Sequence, residues 1–254
     1  MTPERLKRVL LSLPDLSLRV DWLTSEIARL TCTEAASLLG AVVDEAEAQK
    51  PDAREALLTV AIFCADSSNA ECVDALRASA LEARLFGLGR LLRRAPPSSQ
   101  RAPAVDEQRV PDYGAGRELT LGERKSLARR PDRRAFDKLL QDPHPLVIRQ
   151  LLENPKMVEA DAIRLATMRP ARVDTIRELV RGRRWIGRPR VRLSIVLNPG
   201  SPPEVAMPLL CLCNREELSD VLRSTETSLI LRATAQELLA RRPPVPEATS
   251  HTLH

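Results

Sequence analysis

The sequence predicts an all-α protein: an N-terminal helical domain followed by a short-helix α-solenoid. Three observations predict it. Apolar residues make up 43 % of the chain but aromatics only 2 %, so the core must be built from Leu, Val, Ile and Ala. That palette suits helix–helix packing and is poor material for β-sandwiches. Apolar residues recur at helical spacing behind N-cap signals, with no convincing strand. In the C-terminal half, prolines break the chain at 131, 143, 155, 170, 189 and 199. Helices held to two or three turns cannot bury their apolar stripes alone and must stack.

Residues 1–94 read as five or six helices. Thr2-Pro3-Glu4 is an N-cap followed by Pro at the first helical position. Thr31 with Glu34 and Ser68 with Glu71 have capping-box spacing. Behind Glu34, Leu38, Leu39, Val42 and Val43 fall on one stripe, with Asp44, Glu45 and Glu47 opposite. Val73, Leu76 and Ala80 repeat the pattern after Glu71. Leu81 to Arg94 reads as one last helix, its arginines at the C-terminal end where the dipole favours cations.

Residues 95–118 lose the periodicity. Ala95-Pro96-Pro97-Ser98-Ser99, Pro103, Pro111, Gly114 and Gly116 mark a Pro/Ser-rich linker. Residues 119–241 form the helical-repeat domain, and residues 242–254 read as a disordered tail. Thr120 and Glu123 cap the first short helix, and Asp132 caps a second carrying Phe136, Leu139 and Leu140. Val147, Ile148, Leu151 and Leu152 form the next apolar face. Ser201-Pro202-Pro203-Glu204 has both capping-box spacing and a Pro start.

Two stretches repeat. Val147 to Leu152 precedes Asn154-Pro155 as Val191 to Val196 precedes Asn198-Pro199, which places Leu151, Leu152, Ile195 and Val196 in the core. Leu229 to Arg232 suggests a degenerate third copy. Such self-similarity signals stacked helical units. With Asp142-Pro143-His144-Pro145 and Pro202-Pro203-Glu204-Val205, these segments resemble the leucine-rich repeat variant and HEAT-like helical-repeat families. The stretch from Gly122 to Pro131 is similar to bacterial proteins of this type. The resemblance covers roughly residues 119–240 and implies helices alternating with shorter, tighter ones. Some repeat-variant proteins carry an iron–sulfur cluster on closely spaced cysteines. The five cysteines here form no such cluster, so no cofactor is expected.

Charge is uneven: residues 117–192 carry +10 and the remainder −5. Of 39 basic residues only five are lysine. An arginine bias that runs through the whole chain weakens the case for a phosphate-binding patch. No apolar run is long enough for a membrane span. An odd set of cysteines without framework spacing points to reduced thiols and a cytoplasmic setting.

Catalytic and metal sites find little support. His144 lies between two prolines, where capping is the simpler role. Cys211 and Cys213 have no nearby His or second Cys pair to complete a zinc site and are expected to pack in the core. The candidate binding surface is Arg181, Arg183, Arg184, Trp185, Arg188, Arg190 and Arg192. Arginines bind phosphates bidentately, and Trp185 offers a face for a base. The competing reading has Trp185 plugging a gap between helices while the arginines pair with nearby acids. The sequence thus predicts a non-catalytic protein–protein interaction module or scaffold. Nucleic-acid or polyanion binding through Arg181–Arg192 is the alternative.

Overall fold

The structure, a computed structural model, describes residues 1–94 and 110–241. Most of the expected linker (95–109) and the whole expected tail (242–254) lie outside them. The described residues form sixteen α-helices, two 3-10 turns and no strand.

Six helices make up the N-terminal region: α1 (Pro3–Ser12), α2 (Leu16–Ile27), α3 (Cys32–Glu47), α4 (Pro51–Ala65), α5 (Ala70–Glu82) and α6 (Phe86–Leu91). Thr2 caps α1, and Thr31 with Glu34 forms the capping box of α3. From Ala56 onward helix α4 is buried apart from the half-buried Leu58, and it packs against α1, α2 and α3. The Ser68/Glu71 capping box does not form. Asp66 instead accepts from the Ser68 amide (3.0 Å) and caps a 3-10 turn, Ser67–Asn69, that leads into α5. Leu81 to Arg94 is not one helix either. The chain turns at Arg84, which takes a left-handed conformation (φ 53°), and the Leu85 amide reaches back to the Ala80 carbonyl (2.8 Å). The turn lets Leu85 lie over Gly40 and sets Gly87 against α3, where a Cβ would lie 2.3 Å from Asp44 Oδ1.

Ten helices follow: α7 (Leu121–Arg129), α8 (Phe136–Leu139), α9 (Pro145–Leu152), α10 (Glu159–Thr167), α11 (Val173–Arg181), α12 (Arg183–Ile186), α13 (Pro189–Leu197), α14 (Pro203–Leu210), α15 (Arg215–Arg223) and α16 (Leu229–Arg241). Thr120 with Glu123 forms the expected capping box. Asp132 caps a 3-10 turn, Arg133–Ala135, that feeds α8. The Ser201/Glu204 box is absent: α14 starts on Pro203 without a side-chain cap. Asn214 and Glu217 form a box on α15 that the sequence reading missed. Helix α7 packs on α9, α10 on α13 and α14 on α16, while α11 packs back on α9 and α15 on α13.

Helices this short leave a large share of their carbonyls without intrahelical partners. Side chains from elsewhere supply the donors. Asn154 Nδ2 donates to the Ala128 (2.6 Å) and Arg130 (2.8 Å) carbonyls at the end of α7, and its Oδ1 accepts from the Lys156 amide (2.9 Å). Asn198 does the same to Ala166 (2.7 Å) and Met168 (3.2 Å) at the end of α10, and accepts from Gly200 (3.0 Å). Both asparagines are buried, as are Leu151, Leu152, Ile195 and Val196 beside them. The buried Asp142 carboxylate accepts two bonds from Arg124 Nη1 (2.8 and 2.9 Å), one from the Tyr113 hydroxyl (2.6 Å) and one from the His144 amide (2.9 Å). That network ties residues before α7 to the turn before α9.

The two regions share one continuous apolar core. Helix α4 packs along α14, and α6 also touches α14. At the seam Arg93 forks onto Glu237 (2.9 and 3.0 Å), and Arg241 reaches Glu47 (3.0 Å).

Candidate functional site

The Arg181–Arg192 segment spans the end of α11, all of α12 and the start of α13. Trp185 is only 3 % exposed, and its indole N–H donates to the Leu152 carbonyl at the end of α9 (2.7 Å). The ring fills the joint between two helices, with the Arg184 guanidinium 4.4 Å from its centroid. Its face is therefore not open for stacking on a base.

Most of the arginines serve the fold. Arg181 contacts Asp66, Ser67 and Glu178, each at 3.3 Å. Arg183 lies 3.8 Å from Asp66; its Nη1 is buried without a hydrogen-bond partner, and burial lowers its pKa against the pull of Asp66. Arg184 donates to the Asn154 and Met157 carbonyls (3.4 and 3.3 Å). Arg192 donates to the Ile186 and Gly187 carbonyls (3.0 and 2.9 Å), and burial lowers its pKa too. Arg188 and Arg190 are exposed, and their side chains make no ion pair or hydrogen bond among the described residues. Arg149, Arg181, Arg183 and Arg184 do line a cleft of about 620 Å³ facing the α1–α2 turn. Glu178, held by Arg149 through two 2.8 Å bonds, Glu153 and Asp15 line the same cleft and offset that charge.

The other residues weighed for chemistry have local roles. His144 caps α9, its Nδ1 accepting from the Leu146 amide (3.2 Å). Cys211 and Cys213 are buried after α14. Among the described residues no three His, Cys, Asp or Glu side chains converge as a metal site. No single helix there is long and apolar enough to cross a membrane. Helix α4 together with the turn and α5 behind it is apolar enough, but that pair is bent by 72° and α4 lies inside the core.

A second surface was not anticipated. The break at Arg84 leaves Leu81 80 % and Phe86 72 % exposed, whereas Phe63 and Phe136 are each 1 % exposed. With Leu85 and Gly89 they line a cleft of about 960 Å³ bounded by α5, α6 and α16. Five arginines (77, 84, 90, 93 and 94) line it against two acids, Asp74 and Glu237. Arg94 pairs with Asp74 (2.7 Å), Arg93 with Glu237 and Arg90 with Glu47, while Arg84 is exposed with no ion pair among the described residues. Gly87 and Gly89 follow the break and lie inside α6.

Comparison of the chain with protein-family models, curated proteins and solved structures finds no match.

Proposed function

We propose that this chain is a non-catalytic protein-interaction module built on stacked helical units of the HEAT-like or leucine-rich repeat variant kind. The observation that carries the binding role is the exposed pair Leu81 and Phe86, side by side in an arginine-bordered cleft. A protein with six aromatic residues that leaves one in water forgoes the burial of a large apolar surface. An exposed apolar patch with a polar rim is the surface form of a protein contact.

Support for the repeat reading comes from the matched clamps of Asn154 and Asn198. It comes also from the pairing of the opening and closing helices in α7–α9, α10–α13 and α14–α16, with one intervening α-helix in the first and third sets and two in the second. The polyanion reading rests on Arg188 and Arg190, because their neighbours in the segment are engaged inside the molecule.

The test is a photo-crosslinking amino acid placed at position 86 or at position 190 in the native cell. Protein adducts at 86 that survive nuclease treatment are expected. Adducts at 190 that are nucleic acid, with none at 86, would reverse the choice.

A further inference from the structure

The cleft beside α6 also specifies its occupant. We infer that it receives an acidic amphipathic α-helix of a partner protein, laid across Gly89 with its apolar face on Phe86 and Leu81. The inference rests on the interaction reading above and deepens it.

Three features of one helix face carry it. Helix α6 buries Gly87, Leu88 and Leu91 against the body and turns Phe86 and Gly89, one turn apart, outward. Phe86 supplies a large apolar anchor whose burial nothing within the described residues provides. Gly89 supplies close approach. A glycine inside a helix weakens it relative to alanine and calls for a reason. Gly87 has its reason in Asp44, but a Cβ added at Gly89 would meet nothing within 4 Å. The fold does not require Gly89, whereas a helix backbone crossing there does, since small residues let two helices approach.

Charge complementarity selects the chemistry. With Arg90 buried against Glu47, four arginines face two acids and leave the cleft basic, and Arg84, held at the turn, projects its cation without a partner. A basic rim around an apolar floor matches a helix with Leu, Ile or Met at i, i+3, i+4 and i+7 and Asp or Glu on its flanks. Asp74 and Glu237 disfavour a basic helix. They also disfavour an anionic lipid surface, which would suit a protruding patch better than a cleft.

Panning a displayed library of random peptides of about 18 residues, long enough to hold a helix, tests this. Wild-type protein is the bait, with counter-selection on the Phe86→Ala variant. Enriched peptides should be acidic with helical apolar spacing. For a synthetic winner, Phe86→Ala should weaken binding about tenfold or more without lowering the melting temperature. Gly89→Leu should weaken it comparably while leaving the fold as stable or more so. Binding should also weaken as salt rises from about 0.05 to 0.5 M, and less steeply in Arg84→Ala.

Phe86-dependent peptides that are basic, Pro-rich or extended would overturn the inference and leave the interaction reading standing. Failure to enrich any Phe86-dependent peptide would overturn both. Phe86-dependent retention on phosphatidylserine vesicles, or a dimer that Phe86→Ala dissolves, would assign the cleft to a membrane or to a second copy of the chain.

Discussion

The two regions solve the same problem differently. Helices α1 to α5 are 10 to 16 residues long, and the side chains of Thr2, Asp15 and Thr31 cap the starts of the first three. Helices α7 to α15 are 4 to 9 residues long, and many of their ends are held from a distance. Asn154 reaches back to the end of α7 and Asn198 to the end of α10, Arg172 reaches the Gln141 carbonyl (2.6 Å), and Arg184 reaches the turn after α9. As helices shorten, the orphan carbonyls stay constant in number while the bonds inside the helix fall away. Donors with reach replace them, and arginine has five. Part of the positive charge of residues 117–192 fastens short helices in this way: Arg133, Arg172, Arg184 and Arg192 each donate to backbone carbonyls.

The largest test of that contrast is Trp185→Ala. If the segment is structural, the substitution opens a cavity and strands the Leu152 carbonyl, costing about 3–5 kcal/mol in denaturant unfolding. A small loss of stability with a large loss of ligand binding would return Trp185 to a recognition role. Next come the clamps. Asn154→Ala and Asn198→Ala should each cost about 1–3 kcal/mol, because each leaves buried carbonyls unpaired. Their effects should add to within about 0.5 kcal/mol, as for separate sites. One neutral and one severe result would show the two clamps to be unlike.

The shared core gives a third expectation. A specific protease site placed within residues 100–105 and then cut should yield two fragments that still elute together, held by α4 against α14. Fragments that separate would show two independent bodies.

The smallest effect is a pH effect. The Arg117 guanidinium and the Thr120 amide hold the Glu123 carboxyl down to about 2, against an ordinary value of 4.5. A depressed carboxyl favours the fold fully above its unfolded pKa, and that contribution fades as pH falls from about 4.5 toward 2. NMR titration of the carboxyl should find the low midpoint, and Glu123→Gln should flatten stability across that window. An ordinary midpoint would show the capping box to be frayed in solution.

Much of the fold was legible because it depends on local signals. Prolines and caps marked most helix starts, and the paired Asn-Pro steps marked positions whose neighbours are buried. The two failed capping boxes show the limit: Ser68 and Ser201 have the right spacing, but a 3-10 turn and a proline start took those positions. The cleft was hidden because it arises from tertiary fit. Leu81 to Arg94 carries helical periodicity throughout, and the turn at Arg84 follows from Leu85 and Gly87 fitting against α3. In the arginine segment, spacing could not reveal that Trp185 points inward, since its acceptor lies 33 residues away.

The asparagine clamps also bear on how such a chain changes length. Asn154 spans 26 residues back to Ala128, and Asn198 spans 32 back to Ala166, yet both close the same way. The six additional residues are taken up between the anchor points, where a 3-10 turn and α8 in one unit stand opposite α11 and α12 in the other. Residues can therefore be added or removed between the anchor points while the joints keep register. Insertion tolerance should then peak midway between joints.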